Sequence, residues 1–365
     1  MEEFDIYNNC LTNLSNSILK YFRVKPFHKS FKLVDEYLEE KRPRHVVLIL
    51  LDGLGTSILN YHLGKDDFLR KNKKADLFSI IPTATTPATT SLMSGLNPCE
   101  HGWIGWDVYF KDIDKNVTLF TNNLKDSNIK AAEYNVAKRK LKYTSIFDLI
   151  QKQNKNIHVK TFFPFGNDKY INFDDVVSNI KANCEKYEDS FTYIYCENPD
   201  ATMHKFGTKS EETHNIIEEL NTNIERLSKC IKDAVIIAVA DHGHIDSDPI
   251  FISDYKELLQ MLRLDISVES RVCAFFVKKD KLEEFRKIFN KNFSDDFILY
   301  DRDEVINKNV FGIGEENKFF KDAIGDFIAL GISNKYFRSN RKCKVFVSQH
   351  SGITKDELII PLIIK

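Results

Sequence analysis

His45-Val-Val-Leu-Ile-Leu-Leu51, running directly into Asp52-Gly-Leu-Gly55, decides how this chain folds. Six aliphatic residues in a row are too few to cross a membrane and too uniformly apolar for a strand with one wet face. They read as a strand buried on both faces of a sheet. Phe191-Thr-Tyr-Ile-Tyr-Cys196 and Ala234-Val-Ile-Ile-Ala-Val-Ala240 have the same character. A carboxylate follows each run by one to four residues: Asp52, Asp200 and Asp241, the last beside His242. The strands of an open parallel sheet deliver their carboxyl ends to one crevice, where ligands bind, so these three unrelated stretches converge. His204 lies one helical turn past Asp200 and shares its face. The pattern outlines a metal site.

Around this nucleus, apolar strands alternate with helical stretches. Strands are expected near 46–51, 77–81, 156–162, 191–196 and 234–240, and helices near 87–95, 144–153, 173–188 and 210–232. Such alternation predicts an α/β fold with a mostly parallel central sheet and helices on both faces. Upstream, Phe4, Leu11, Leu14, Ile18 and Phe22, then Leu33, Val34, Tyr37 and Leu38, fall at helical spacing, so residues 1–44 read as a helical extension. After Asp246 the rhythm changes. Arg271–Val277, Lys281–Phe289 and Phe297–Tyr300 predict a small α+β cap or insertion over 250–335. The core then comprises 45–249 and 336–365, closing through Lys344–Val347 and the apolar run Leu358–Ile364.

Of 365 residues, 42% are hydrophobic and 29% charged, which fits an ordinary globular chain and excludes a disordered one. A formal charge of −1 gives no broad basic field, so no nucleic-acid polymer and no anionic membrane is expected as partner. The oligomeric state is not specified by the sequence. The N-terminus lacks the basic start and apolar stretch of a signal peptide, which predicts a cytoplasmic protein. Seven scattered cysteines without C-x-x-C spacing predict reduced thiols, with Cys196 in the core.

Pro82-Thr-Ala-Thr-Thr-Pro-Ala-Thr-Thr-Ser91 follows an apolar strand and places hydroxyls at a turn, with Pro87 just inside the next helix. A threonine there would face free backbone N–H groups and the positive end of the helix dipole, which favour an alkoxide and a bound phosphate. By itself such a turn is more simply a helix cap. The Asp/His set nearby argues for chemistry.

Six motifs then occur in the order found in the alkaline phosphatase superfamily: Leu51-Asp52-Gly-Leu-Gly, Pro82-Thr-Ala-Thr85-Thr-Pro87, Ser94-Gly-Leu-Asn-Pro-Cys-Glu-His101-Gly, Asn198-Pro-Asp200-Ala-Thr-Met-His204-Lys-Phe-Gly207, Ala240-Asp241-His242-Gly and His350-Ser-Gly. The chain resembles the type I phosphodiesterase/nucleotide pyrophosphatase branch over 45–245 and 345–365. The resemblance implies an alkaline phosphatase-like fold. It also implies that Asp200, His204 and His350 hold one divalent metal and Asp52, Asp241 and His242 a second. Thr85 would be the nucleophile on that second metal. Zinc is the family expectation, and oxygen and imidazole donors also suit manganese. The implied reaction hydrolyses a phosphodiester or nucleotide pyrophosphate through a covalent phosphothreonine that water then cleaves, on a small-molecule phosphate ester or nucleotide substrate.

The pattern departs from the family at Trp106, which stands where nucleotide pyrophosphatases carry an asparagine that holds a phosphoryl oxygen. An indole offers one N–H and is much larger. Trp103-Ile-Gly-Trp106-Asp-Val-Tyr109-Phe110 reads either as an aromatic wall that stacks a planar group or as core. Asn122 and Asn123 are candidate replacement amides. His101 is expected to be structural, His244 a supporting or surface residue, and Tyr193 and Tyr195 core. Two other functions remain open: a phosphomonoesterase on the same two metals, and a metal-binding module without turnover.

Overall fold

In the computed structural model, which describes residues 5–365, the 45–51 run is an interior strand of a six-stranded sheet. The strand order is Lys73–Phe78, Ile359–Ile364, Ala234–Val239, His45–Leu51, Ser190–Cys196, His158–Phe162. His45–Leu51 pairs in parallel with Ser190–Cys196 on one side and Ala234–Val239 on the other. Ile359–Ile364 is antiparallel to both its neighbours. Every residue of His45–Leu51 and Ser190–Cys196 is buried, which is why neither shows a hydrophobic alternation.

Helices flank this sheet and complete one apolar core, in which Leu14, Ile18, Leu92, Ile150, Ile180 and Ile224 meet the strand residues. Among them are the expected Leu11–Tyr21 and Lys32–Lys41 near the N-terminus, although Phe4 lies outside the described residues. Leu11–Tyr21 is held against the Thr85–Ser94 helix by Ser15 Oγ donating to Leu92 O (2.7 Å) and Asn16 Nδ2 donating to Gly95 O (2.9 Å). Gly95 closes Thr85–Ser94 in the left-handed region, φ 75°, where glycine is favoured.

A second, seven-stranded sheet runs Phe297–Asp301, Phe327–Gly331, Val272–Phe275, Ser267–Val268, Asp107–Phe110, Lys115–Thr118, Asn123–Leu124, and all its pairings are antiparallel. It therefore joins strands of the 250–335 segment to a meander from 107–124, which the reading by residue number assigned to the core. The crossing point is one short pairing, Val268 opposite Asp107. No local pattern in either segment announces so distant a partner. Leu282–Phe293 covers part of this sheet, stacking Phe285, Phe289 and Phe293 against Phe275, Phe327 and Phe337.

The strand expected at 77–81 is observed at Lys73–Phe78. It forms the sheet edge, where Lys73 and Lys74 are tolerated in a strand, so its polar start hid it. Residues 79–81 leave the ladder and bind elsewhere: Ser79 N donates to Leu358 O (2.7 Å) and Ser79 Oγ to Asp241 O (2.5 Å).

Candidate active site

The strand register fixes the carboxylates relative to one another. Leu51 pairs with Cys196, Asp52 N donates to Cys196 O (3.0 Å), and Asp200 N donates back to Asp52 O (3.0 Å). On the other side Leu50 pairs with Val239, and Gly53 N donates to Asp241 Oδ1 (3.0 Å). Gly53 itself has φ 78° and packs against Asp200, so the turn after the strand needs a residue free of a side chain.

The structure brings all seven residues singled out by sequence into one cluster. His242 Nε2 lies 3.3 Å from Asp52 Oδ1, 3.6 Å from Asp241 Oδ2 and 3.3 Å from Thr85 Oγ1, which is also 3.5 Å from Asp52 Oδ1. Asp200 Oδ1 lies 3.5 Å from His204 Nε2 and 3.7 Å from His350 Nε2. Asp52, Asp200 and His242 form one compact donor group, and Asp200, His204, His244 and His350 another, so Asp200 is shared between them. Backbone carbonyls fix the imidazoles: His204 Nδ1 contacts Ser348 O (2.8 Å), His242 Nδ1 Gly243 O (3.0 Å) and His350 Nδ1 Thr83 O (3.1 Å). These contacts leave the Nε2 atoms turned inward.

This donor set fits cations. Burial, then the charge of Asp200, pushes the Asp52 carboxyl well above its ordinary range; burial, then Asp52, does the same to Asp241. Asp241 Oδ2 is buried without a hydrogen-bond partner. Burial would also raise Asp200, but the facing His204, His244 and His350 overrule it and hold that carboxyl low. Carboxylates buried side by side, one with an orphaned oxygen, are the arrangement that a positive ion relieves. The donors are oxygen and nitrogen with no thiolate, as zinc or manganese accepts.

Thr85 is the first residue of the Thr85–Ser94 helix, preceded by Ala84 in extended backbone, so its hydroxyl stands at the positive end of the dipole. Because Pro87 has no N–H, the free donors of that first turn are those of Thr85 and Thr86.

One expectation needs correction, that for Asn122, and two residues do more than the sequence told. Tyr195 is buried as expected, yet its hydroxyl donates to Asp52 Oδ2 and so orients a candidate ligand. A tyrosine in an apolar strand gives no hint of this except its register, one residue before the pairing of Leu51 with Cys196. Of the two places expected for His244, supporting or surface, it takes the first: it is buried with Nε2 2.8 Å from Asp200 Oδ1. Asn122 cannot supply a free amide, because its side chain donates to Ala132 O and Tyr134 O and accepts from Val136 N. Asn123 does face the cavity, with a buried and unpartnered Oδ1. His101 is buried, with Ser91 Oγ 3.0 Å from Nε2 and Trp103 N donating to Nδ1, in a structural role.

A cavity of about 560 Å³ opens from Thr85, Asp200, His204 and His350 toward the second sheet. Trp106 stands at its edge, 45% exposed, with its ring 5.3 Å from Phe120 and its backbone N–H donating to Glu269 Oε1 (2.7 Å). Tyr109 and Phe110 are buried core and the Trp103 indole donates to Leu141 O, so of that aromatic stretch Trp106 is the residue presented to the cavity.

The fold and this cluster agree with the family comparison. Residues 46–354 match the model of type I phosphodiesterase / nucleotide pyrophosphatase. The chain belongs to that family, within the alkaline phosphatase superfamily, and is thus a hydrolase of the phosphodiesterase/pyrophosphatase type. Its fold is similar to that of murine ectonucleotide pyrophosphatase / phosphodiesterase 5, solved as an inactive variant in complex with AMP, at TM-score 0.65, 17% identity and 87% coverage of each chain. It is also similar to phosphonoacetate hydrolase from Sinorhizobium meliloti in complex with phosphonoformate, at TM-score 0.65, 15% identity and coverage of 88% of this chain and 90% of that one. No helix among the described residues is long and apolar enough to cross a membrane.

Proposed function

We propose that this protein cleaves phosphodiester or nucleotide pyrophosphate bonds at a two-metal centre, with Thr85 as nucleophile. The observation that carries the reading is the position of Thr85 Oγ1, 3.3 Å from His242 Nε2 and 3.5 Å from Asp52 Oδ1 at a helix N-terminus. Asp200, His204 and His350 would hold one cation, and Asp52, Asp241 and His242 the other, with zinc or manganese suiting the donors. When bound, such ions polarise the phosphoryl group, acidify the threonine hydroxyl and neutralise the leaving oxygen.

The chain's own residues do the rest. Tyr195 fixes Asp52, and the backbone carbonyls fix the imidazoles, so the donors are in place before substrate arrives. The free Thr85 and Thr86 N–H groups at the helix start would donate to a nonbridging phosphoryl oxygen as it gains charge. Thr85 Oγ forms a bond to phosphorus as the bond to the leaving oxygen breaks. The threonine proton passes to solvent, which protonates the departing oxygen; water then attacks phosphorus as the Thr85 Oγ–P bond breaks, one of its protons restoring the threonine hydroxyl and the other passing to solvent, and the phosphorylated product is released.

The cavity favours a diester over a monoester. The open space beside Thr85 leads away past Trp106 and has room for the second ester arm that a diester carries. All seven cysteines are free thiols, which fits a reducing compartment and the cytoplasm. The proposal is tested by acid quench of turning-over protein and mass spectrometry: a phosphoryl adduct is expected on the peptide carrying Thr85, and its absence under conditions of rapid turnover would require a direct attack by water instead.

A further inference from the structure

Glu269 carries a carboxyl group that the proposed reaction does not use. It lines the same cavity as Thr85 and Thr86, half-buried in the wall, and it follows a strained residue. Val268, buried at the end of the Ser267–Val268 strand, has φ 74°, in the left-handed region that a β-branched side chain rarely enters. Its surroundings enforce that conformation. A β-carbon on Gly105 would meet Val268 O at 2.5 Å, so glycine is what lets the two segments touch, and Glu269 N donates to Val272 O (2.9 Å). Strain kept in place by its neighbours is a mark of function, and what this turn delivers to the cavity is Glu269. There Trp106 N donates to Glu269 Oε1 (2.7 Å), while Oε2 has no hydrogen-bond partner among the described residues.

Burial is the main force on this carboxyl. It raises the group to about 8, with Asp107 acting in the same direction, while the Trp106 N–H, His242 and Arg338 oppose the rise without cancelling it. The remaining neighbours are settled. Asp107 accepts from Thr118 Oγ1 and feels the charge of Lys125, whose ammonium is held by Asp265 and Ser339 Oγ. Cys273, paired with Val268 on the next strand, has its thiol raised by burial and stays neutral. Glu269 is therefore an uncharged acid at neutral pH. Its O–H is a donor for which the protein supplies no acceptor, in a cavity where a phosphodiester would bring anionic oxygens.

We propose that Glu269 contacts the substrate as a neutral acid, its Oε2–H donating to the phosphoryl oxygen turned toward the second sheet while Oε1 stays on Trp106 N. The inference rests on the diesterase reading above and adds a substrate-positioning residue to it. The proton remains on Glu269 throughout, so the contact binds and orients the phosphoryl group and adds no step to the reaction. It also sets a condition on pH. Once Glu269 ionises, the same oxygen repels the anion it held, so substrate binding weakens as pH rises through the Glu269 value. Bound cations move that value down and a bound anion moves it up, and the sign of the effect is the same in both cases.

The test uses the metal-loaded full chain as wild type, Glu269→Gln and Glu269→Leu, with Tm and metal content measured for each. Glutamine keeps a donor and an acceptor and cannot ionise; leucine has neither. For bis-p-nitrophenyl phosphate followed between about pH 6 and pH 9, wild-type kcat/KM should fall on the alkaline side through a rise in KM. Glu269→Gln should lose a few fold at the acid end and lack that limb, and Glu269→Leu should lose about 10- to 100-fold at the acid end, also without the limb. A limb that persists in Glu269→Gln, or acid-end activity in Glu269→Leu equal to that of wild type, would overturn the proposal and leave the diesterase reading intact. A second readout does not need turnover. The infrared difference between wild type and Glu269→Gln at the acid end should contain the carbonyl band of a neutral carboxylic acid, shifted on addition of dimethyl phosphate. Absence of the band, or a band that dimethyl phosphate does not move, would also overturn the proposal. Failure of the wild type to cleave any diester would overturn the diesterase reading, and this one with it.

Discussion

Arg271→Met should damage the metal centre without touching it. Arg271 and Glu357 are both fully buried and paired, Nε to Oε1 at 2.7 Å and Nη2 to Oε2 at 2.9 Å. The guanidinium also donates to Ser333 O and Lys335 O, and Arg271 N to Ser351 Oγ. Glu357 Oε1 accepts from Gly352 N (2.7 Å), two residues past His350, and Glu357 O accepts from Gly243 N (2.8 Å), next to His242. One ion pair thus anchors the loops of two candidate ligands. A β-carbon on Gly352 would meet Arg271 Nη2 at 2.6 Å, so the glycine is what allows this approach. Removing the arginine strands a buried carboxylate and should cost about 3–5 kcal/mol. For a chain of this size that corresponds to a fall in Tm of roughly 5 °C. The assay pairs a thermal melt with zinc affinity by chelator competition, against Phe289→Ala as a control that destabilises the second sheet away from the cluster. Arg271→Met should weaken zinc beyond the control, and the double variant with Glu357→Leu, which leaves no unpaired charge, should recover part of the lost Tm. Additive losses in the double variant, or zinc binding no worse than the control, would refute the reasoning.

Three other perturbations have defined outcomes. Tyr195→Phe removes the hydroxyl that holds Asp52 and should lower metal affinity about 10- to 100-fold with little change in Tm, read by the same chelator competition. Glu269 carries a carboxyl raised to about 8 by burial, so the native protein binds more protons than the unfolded chain between its ordinary value of 4.5 and that point. Its stabilising contribution is complete below 4.5 and is lost as pH rises toward 8, so the Tm of wild type relative to Glu269→Gln should fall from pH 5 to pH 8; a constant difference would contradict the assignment. Chelator-treated protein should likewise lose Tm with rising pH, because the raised Asp52 and Asp241 carboxyls destabilise the fold as they ionise, and loading with zinc should flatten that slope in parallel melts.

The sheet and the cluster were legible because they rest on short-range rules. Buried parallel strands are continuous apolar runs, and their carboxyl ends share a crevice, so Asp52, Asp200 and Asp241 announced one another. What the sequence hid depends on partners far away in the chain. The edge strand Lys73–Phe78 begins with lysines that only an edge tolerates. The second sheet depends on Val268 meeting Asp107, a contact 161 residues apart that no periodicity encodes. Tyr195, Glu357 and Arg271 act through single polar atoms on otherwise ordinary core residues.

The central claim is tested most directly by hydrolysis of bis-p-nitrophenyl phosphate against p-nitrophenyl phosphate, using metal-stripped protein reloaded with zinc or manganese and Thr85→Ala alongside. The account predicts metal-dependent turnover with a clear preference for the diester, falling by orders of magnitude in Thr85→Ala. A preference for the monoester would move the activity to a phosphatase, and full diesterase activity in Thr85→Ala would contradict the assignment of Thr85 as nucleophile.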